Sequence, residues 1–112
     1  MLVFERAYVV KIIDGDTLDI SIDLGFHVSF AHRFRLRAVN APEIRGVDKE
    51  AGLRSKQALE TLLPIGQQIT LWSYKSDKYG RYLCQIIKNG DNINERMIAM
   101  GVLTKISNDL VS

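Results

Sequence analysis

The sequence predicts a small, mainly β domain with flanking helices, in which five strands close or nearly close into a barrel. Three observations carry that expectation. Residues 18–24 alternate apolar and polar without exception, the period of a sheet with one wet face. An Asp14-Gly15 pair joins this run to a preceding β-branched run, which is a strong hairpin signal. One long helical pattern falls between the third and fourth strand segments, and no repeat, linker or internal boundary interrupts the chain. A chain of 112 residues has room for one ordinary core, so residues 1–112 are expected to form a single domain. With 46% hydrophobic and 25% charged residues and two prolines, the composition excludes a disordered, collagenous or low-complexity chain.

The first strand is expected over residues 8–13, stopped by Asp14-Gly15, and the second over 18–24, ended by Gly25. Val28, Phe30, Phe34, Leu36 and Ala38 then share one parity through 28–39, completing a meander, with an interruption at His32 that reads as a bend or bulge. Asn40-Ala41-Pro42 ends this strand, because proline removes a donor and restricts the residue before it. From 48 to about 63, Ala51, Ser55, Leu59 and Leu62 recur at helix spacing until Pro64-Ile65-Gly66 stops the run. Residues 69–74 and 82–87 restart the sheet pattern. Asn89-Gly90 makes another turn, 92–100 reads as a short helix capped by Gly101, 102–106 as an extended segment, and Ser107-Asn108-Asp109 as a fraying end. Closing such a sheet removes its exposed edges.

Fifteen Lys and Arg against thirteen Asp and Glu give a net charge of +2, which says little about partners. Their distribution says more: Arg33, Arg35 and Arg37 alternate, with Arg45, Lys49, Arg54 and Lys56 close behind, a pattern of either an anion-binding face or the wet side of a half-buried strand. The single cysteine, Cys84, excludes an intrachain disulfide and sits in an apolar pattern, as a core thiol does. Glu5 interrupts the apolar run a signal peptide needs, and no window approaches an 18-residue apolar span. The chain as given reads as cytoplasmic, or as exported only if a leader has been removed.

Asp14-Gly15-Asp16-Thr17 places two carboxylates and a hydroxyl at a strand junction; the simpler reading is a turn, the functional one a site for a hard cation such as calcium or magnesium. Arg35 and Glu43 flank the end of the third strand with Asn40 between them, and a guanidinium fork suits phosphate oxygens as a glutamate suits a proton from water. Arg81 follows the loop Asp77-Lys78-Tyr79-Gly80. Taken separately, each of these reads as surface. His27 and His32 lack the spacing of a zinc motif. Trp72, Tyr74, Tyr79 and Tyr82 suit base stacking but also suit a barrel core. Gly-rich phosphate loops, the dinucleotide fingerprint and Gly-x-Ser-x-Gly are absent, which removes support for nucleotide-driven phosphoryl transfer and nicotinamide chemistry.

Ile13-Asp14-Gly15-Asp16-Thr17-Leu18, then Arg35-Leu36-Arg37-Ala38-Val39-Asn40-Ala41-Pro42-Glu43, then Asp77-Lys78-Tyr79-Gly80-Arg81 resemble, in that order, the staphylococcal nuclease-like, or thermonuclease, family. Asn94-Glu95 followed by Gly101 is similar to that family's closing helix, so the resemblance covers residues 7 to 106. It implies an α+β fold built on a five-stranded OB-fold barrel, and a calcium-dependent endonuclease acting on single-stranded or locally opened DNA and RNA. It also implies roles: Asp16, Asn40 and the Ala41 carbonyl as Ca2+ ligands, Glu43 orienting or deprotonating the attacking water, and Arg35 and Arg81 holding the phosphate. Asp14 and Thr17 would support the metal shell and Tyr79 would shape the nucleotide pocket. The products it implies carry 3′-phosphate and 5′-hydroxyl ends.

The sequence departs from the best-known family pattern at Asn40, where that pattern has aspartate; an oxygen ligand stays but a negative charge is lost. The chain also lacks the substrate-facing aromatic residues of a terminal helix found in longer members, with Ser107 at the roughly matching place. Two other functions fit the same barrel: a noncatalytic nucleic-acid-binding module, and a protein-interaction scaffold.

Overall fold

In the computed structural model, residues 1–106 are described. The chain runs through β1 (Leu2–Asp14), β2 (Thr17–Gly25), β3 (Val28–Leu36), β4 (Val39–Asn40), a 3-10 turn (Gly46–Asp48), α1 (Lys49–Leu62), β5 (Gln68–Ser76), β6 (Tyr82–Lys88), β7 (Asp91–Asn92), α2 (Ile93–Ala99) and β8 (Thr104–Lys105). The principal sheet has the order β3-β2-β1-β5-β6-β7. It closes where β3 pairs with β6 in parallel, through Phe34↔Tyr82, Arg35↔Leu83 and Leu36↔Cys84. The other ladders are antiparallel, and β4 pairs separately with β8.

Alternation along the strands sends one set of side chains inward. Leu18, Ile20 and Ile22 of β2, Phe34 and Leu36 of β3, Leu71 of β5 and Cys84 and Ile86 of β6 are all buried in one apolar cluster. Leu59 of α1, Leu63 just beyond it, and Ile93 and Met97 of α2 belong to the same cluster. Both helices therefore bury one face against the barrel, Ser55 and Asn94 included, while Glu50, Arg54, Glu60, Glu95 and Arg96 stay exposed. This is a mixed α+β fold whose closed five-stranded barrel, β1-β2-β3-β6-β5, has OB-fold architecture.

The structure corrects several expected boundaries. β1 begins at Leu2, because its first half pairs with β5, as in Leu2↔Ser73 and Phe4↔Leu71. No bulge falls at His32: the β2–β3 register runs unbroken from Thr17↔Arg35 through Ile20↔His32, and β1 carries irregularities between Phe4 and Ala7, Val9 and Lys11, and Ile12 and Asp14. β3 ends at Leu36, and Ala38, at φ 67°, reverses the chain before β4. Val28 and Phe30 share the core parity yet stand exposed, since β3 meets β6 only from Phe34↔Tyr82 onward and its first half has a partner strand on one side alone. The extended segment expected over 102–106 contains β8, and the fraying expected at Ser107-Asn108-Asp109 lies outside the described residues.

Candidate active site

The β1–β2 turn is built to hold two carboxylates close together. Asp14 Oδ1 accepts the Asp16 N–H at 3.0 Å, the local bond that makes aspartate favourable in such turns. Between them Gly15 lies against α1: a Cβ there would overlap the Ser55 hydroxyl and stand 2.7 Å from Ser55 Cβ. Only glycine lets the helix rest on this turn.

Asp16 is buried and heavily bonded. Its Oδ1 accepts the Thr17 hydroxyl at 2.9 Å, its Oδ2 accepts the Ala41 N–H at 2.9 Å, and Arg35 Nη2 lies 3.5 Å from Oδ2. Burial opposes its ionisation, but bonds from Asp14, Ala41 and Thr17 and the Arg35 charge outweigh it and hold the carboxyl below its ordinary value. Asp14 moves the other way. Burial, reinforced by hydrogen bonding and charge from Asp16, pushes it up to about 6.

Arg35 sits opposite Thr17 across the β2–β3 ladder. Its guanidinium donates to the Leu36 carbonyl at 3.2 Å, to the Val39 carbonyl at 2.8 Å and to Asn40 Oδ1. The reversal at Ala38 makes these bonds possible by folding β4 back on the end of β3. Glu43 follows Pro42 in an irregular segment, exposed to solvent, and its backbone carbonyl lies against Gly52 of α1.

Arg81 reaches the site from the loop between β5 and β6. Asp77 organises that loop: its Oδ1 accepts the N–H groups of Tyr79 and Arg81 at 2.9 and 3.0 Å, and its Oδ2 takes Arg81 Nε at 3.0 Å and Nη2 at 2.8 Å. Desolvation opposes its ionisation, yet the donors from Tyr79 and Arg81 hold the Asp77 carboxyl below its ordinary value.

These elements enclose a polar cavity of about 220 Å³ lined by Asp14, Asp16, Arg35, Asn40, Ala41, Pro42, Glu43, Ile44 and Arg81. Seven residues singled out in the sequence thus wall one space. Thr17 stands behind it, bonded to Asp16, and Tyr79 lines an adjoining groove. The remaining candidates lie elsewhere: Cys84 is buried in the core, where burial pushes its thiol up, and His27 sits in the β2–β3 turn. Arg33 pairs with Asp19, and Arg37 covers the Tyr74 ring at 4.3 Å.

Among the described residues, no three His, Cys, Asp or Glu side chains converge as a metal cage. The donors that wall the cavity are nonetheless hard oxygens: the Asp14, Asp16 and Glu43 carboxylates and the Asn40 amide. Calcium accepts such mixed sets with water completing the shell, so the donor chemistry fits a divalent ion even though Asn40 Oδ1 is turned to Arg35.

Four residues that support this site were given no role in it by the sequence, although Gly15, Asp77 and Asn94 lie in the quoted motifs. Asp77 positions Arg81, a role signalled by its i,i+4 spacing and its place in the Asp77-Lys78-Tyr79-Gly80-Arg81 motif. Gly15 and Gly52 permit close approaches between distant segments, which spacing does not encode. Asn94, buried at the start of α2, accepts the Ile86 N–H at 3.3 Å and donates to the Arg37 and Cys84 carbonyls at 3.2 and 3.1 Å, tying the helix to the strand ends beside Arg35.

Comparison with known proteins agrees with this fold. Residues 33–109 match the family described as staphylococcal nuclease homologue. The chain is 31% identical over 94 residues to an "Uncharacterized endonuclease" of Escherichia coli O157:H7, covering 83% of this chain and 56% of that protein. It is 31% identical over 106 residues to "Protein ParB" of Escherichia coli, covering 87% of this chain and 55% of the relative. A 38.1 kDa protein of Capnoides sempervirens shares 34% identity over 71 residues, 63% of this chain and 20% of its own length. The chain thus spans about half the length of the two Escherichia coli relatives. A family match over most of the chain, on a barrel of the matching architecture, means that the chain belongs to the staphylococcal nuclease family.

Proposed function

We propose that this chain hydrolyses phosphodiester bonds of single-stranded or locally opened DNA or RNA at the Asp16–Arg35–Glu43–Arg81 cavity. The observation that carries the reading is that two guanidinium groups and three carboxylates wall one polar space of about 220 Å³. The "endonuclease" in the name of one relative points the same way.

In this reading Arg35 and Arg81 hold non-bridging phosphate oxygens, and their fixed charge acts most strongly as negative charge builds on phosphorus. Glu43, exposed at the cavity wall, takes a proton from a water molecule whose oxygen bonds to phosphorus. The bond from phosphorus to the 5′ oxygen breaks opposite to it, and that oxygen takes up a proton from solvent. The products are a 3′-phosphate and a 5′-hydroxyl. Asp16, with Asn40 and the Ala41 carbonyl, would hold Ca2+, and Asp14 and Thr17 would support it; a bound cation supplies further neutralisation of the phosphate.

A second reading is favoured by a specific observation. Three acidic or histidine side chains do not converge as a metal cage among the described residues, and both arginines already have partners, Arg35 in Asn40 and Arg81 in Asp77. A noncatalytic OB-fold module would bind the strand at the same place without cutting it.

Cleavage of labelled single-stranded DNA by the wild-type chain and its Glu43→Gln variant, with calcium or chelator, separates the two. Calcium-dependent cleavage that falls at least about a hundredfold in the variant supports hydrolysis. Binding with no cleavage in calcium, magnesium or manganese supports the module.

A further inference from the structure

The loop between β5 and β6, residues 77–81, delivers Arg81 to the polar cavity, and β3 meets β6 only from Phe34↔Tyr82 onward. The loop therefore stands beyond the last pair of that ladder and needs ties of its own. Asp77 supplies several from within. Besides its carboxylate contacts, its N–H donates to the Arg81 carbonyl at 2.7 Å, and its carbonyl accepts the Gly80 N–H at 3.1 Å.

A bond also reaches the loop from β3. His32 Nε2 lies 3.2 Å from the Gly80 carbonyl, and because a carbonyl only accepts, Nε2 is the ring nitrogen that carries the proton. The same peptide unit is held on its other side, where the Arg81 N–H donates to Asp77 Oδ1 at 3.0 Å. A trans peptide is planar with its C=O and N–H directed oppositely, so partners on both sides fix the orientation of the Gly80–Arg81 plane. That plane sets the direction in which the Arg81 side chain leaves the backbone. The His32 ring is itself held in place. Phe30 stacks on it with centroids 5.4 Å apart and planes 14° from parallel, while Tyr82 and Phe34 lie 5.0 and 6.3 Å away at 58° and 88°. An imidazole packed among three rings has little rotamer freedom left to lose when its bond to the loop forms.

We infer that His32 is a positioning residue for Arg81, gripping the Gly80–Arg81 peptide from β3 while Asp77 grips it from within the loop. His32 does not line the polar cavity, so it acts through the loop. For its effect on substrate, the inference rests on the proposal that Arg81 holds a nucleic-acid phosphate. The clamp on the peptide stands apart from that proposal and has its own readout.

The test separates the bond from the ring. His32→Phe keeps a stacking ring and loses the donor, whereas His32→Gln loses the ring and keeps an amide donor. Wild type and both variants are compared by amide hydrogen exchange on isotope-labelled protein and by steady-state cleavage of a labelled single-stranded oligonucleotide in calcium. In His32→Phe the Arg81 N–H should exchange about fivefold faster, the worth of one ordinary hydrogen bond, while amides of the β2–β3 ladder exchange as in wild type. KM should rise about fivefold with a smaller change in kcat, and His32→Gln should recover most of both effects. Unchanged Arg81 exchange or unchanged KM in His32→Phe, an equal acceleration throughout the β2–β3 ladder, or no recovery in His32→Gln overturns the assignment. Should His32→Phe not fold, His32→Leu, which also donates nothing, takes its place. Where wild type binds the strand without cutting it, Kd replaces KM; Arg81 exchange and Kd that still depend on His32 then leave the positioning role standing while the nuclease reading falls.

Discussion

The carbonyl of Glu43 rests directly on Gly52: a Cβ on that helical glycine would overlap the carbonyl oxygen and stand 2.6 Å from its carbon. The first turns of α1 therefore set the height of the segment that carries the proposed base. Gly52→Ala improves helix propensity but overpacks this contact, at a cost of about 1–3 kcal/mol. We expect a lowered melting temperature and at least a tenfold loss of cleavage, because small displacements of a reacting group are expensive. Unchanged cleavage in Gly52→Ala would detach Glu43 from the chemistry.

Asp77 holds the Arg81 loop through two backbone N–H groups and the guanidinium itself. Asp77→Ala frees Arg81 and leaves those N–H groups to solvent. The expected result is a raised KM for oligonucleotides with a smaller change in kcat, and a stability loss of about 1–2 kcal/mol. Denaturant unfolding and steady-state kinetics on the same preparation check both.

Asn40→Asp adds a carboxylate to a cavity already lined by three and gives Arg35 a charged partner in place of an amide. Calcium affinity, read by calorimetry or by the rise of melting temperature with added calcium, should strengthen by about tenfold, since ligand charge tunes such sites. An unchanged affinity would place the cation away from Asn40.

Asp14, pushed up to about 6, makes stability of the cation-free protein fall with rising pH. The folded state keeps a proton that the unfolded chain releases near its ordinary value of 3.8. That contribution is complete below about pH 4 and is lost on the way to about pH 6. Asp16, shifted downward, acts below this window and with the opposite sign. Urea unfolding at pH 4 to 7 in chelator should therefore show Asp14→Asn gaining on wild type as pH rises; a constant difference would contradict the raised Asp14 carboxyl.

Much of this was legible in the residues. The alternation of 18–24 and the Asp14-Gly15 turn marked β2 and its hairpin, and helix spacing from Ala51 to Leu62 marked α1, because local periodicity reports one buried face. The start of β1 was hidden, since Glu5 and Arg6 break the apolar pattern and only pairing with β5 extends the strand to Leu2. His32 looked like a bend because a polar residue interrupts the apolar parity there, whereas the strand runs on unbroken and only lacks a β6 partner before Phe34. The spacing of Asp16, Arg35, Glu43 and Arg81 in the chain says nothing of their distance in space; barrel closure through Arg35↔Leu83 brings the Arg81 loop to the end of β3. The contacts of Gly15 and Gly52 depend on where α1 docks, a tertiary fact with no local signature.

The most direct measurement is the identity of the ends left when a 5′-labelled single-stranded oligonucleotide is incubated with the purified chain and calcium. The account predicts calcium-dependent fragments bearing 3′-phosphate, abolished by chelator and by Arg35→Lys, which keeps charge but loses the guanidinium fork. An intact oligonucleotide, bound by folded protein yet uncut with any divalent ion, would contradict it.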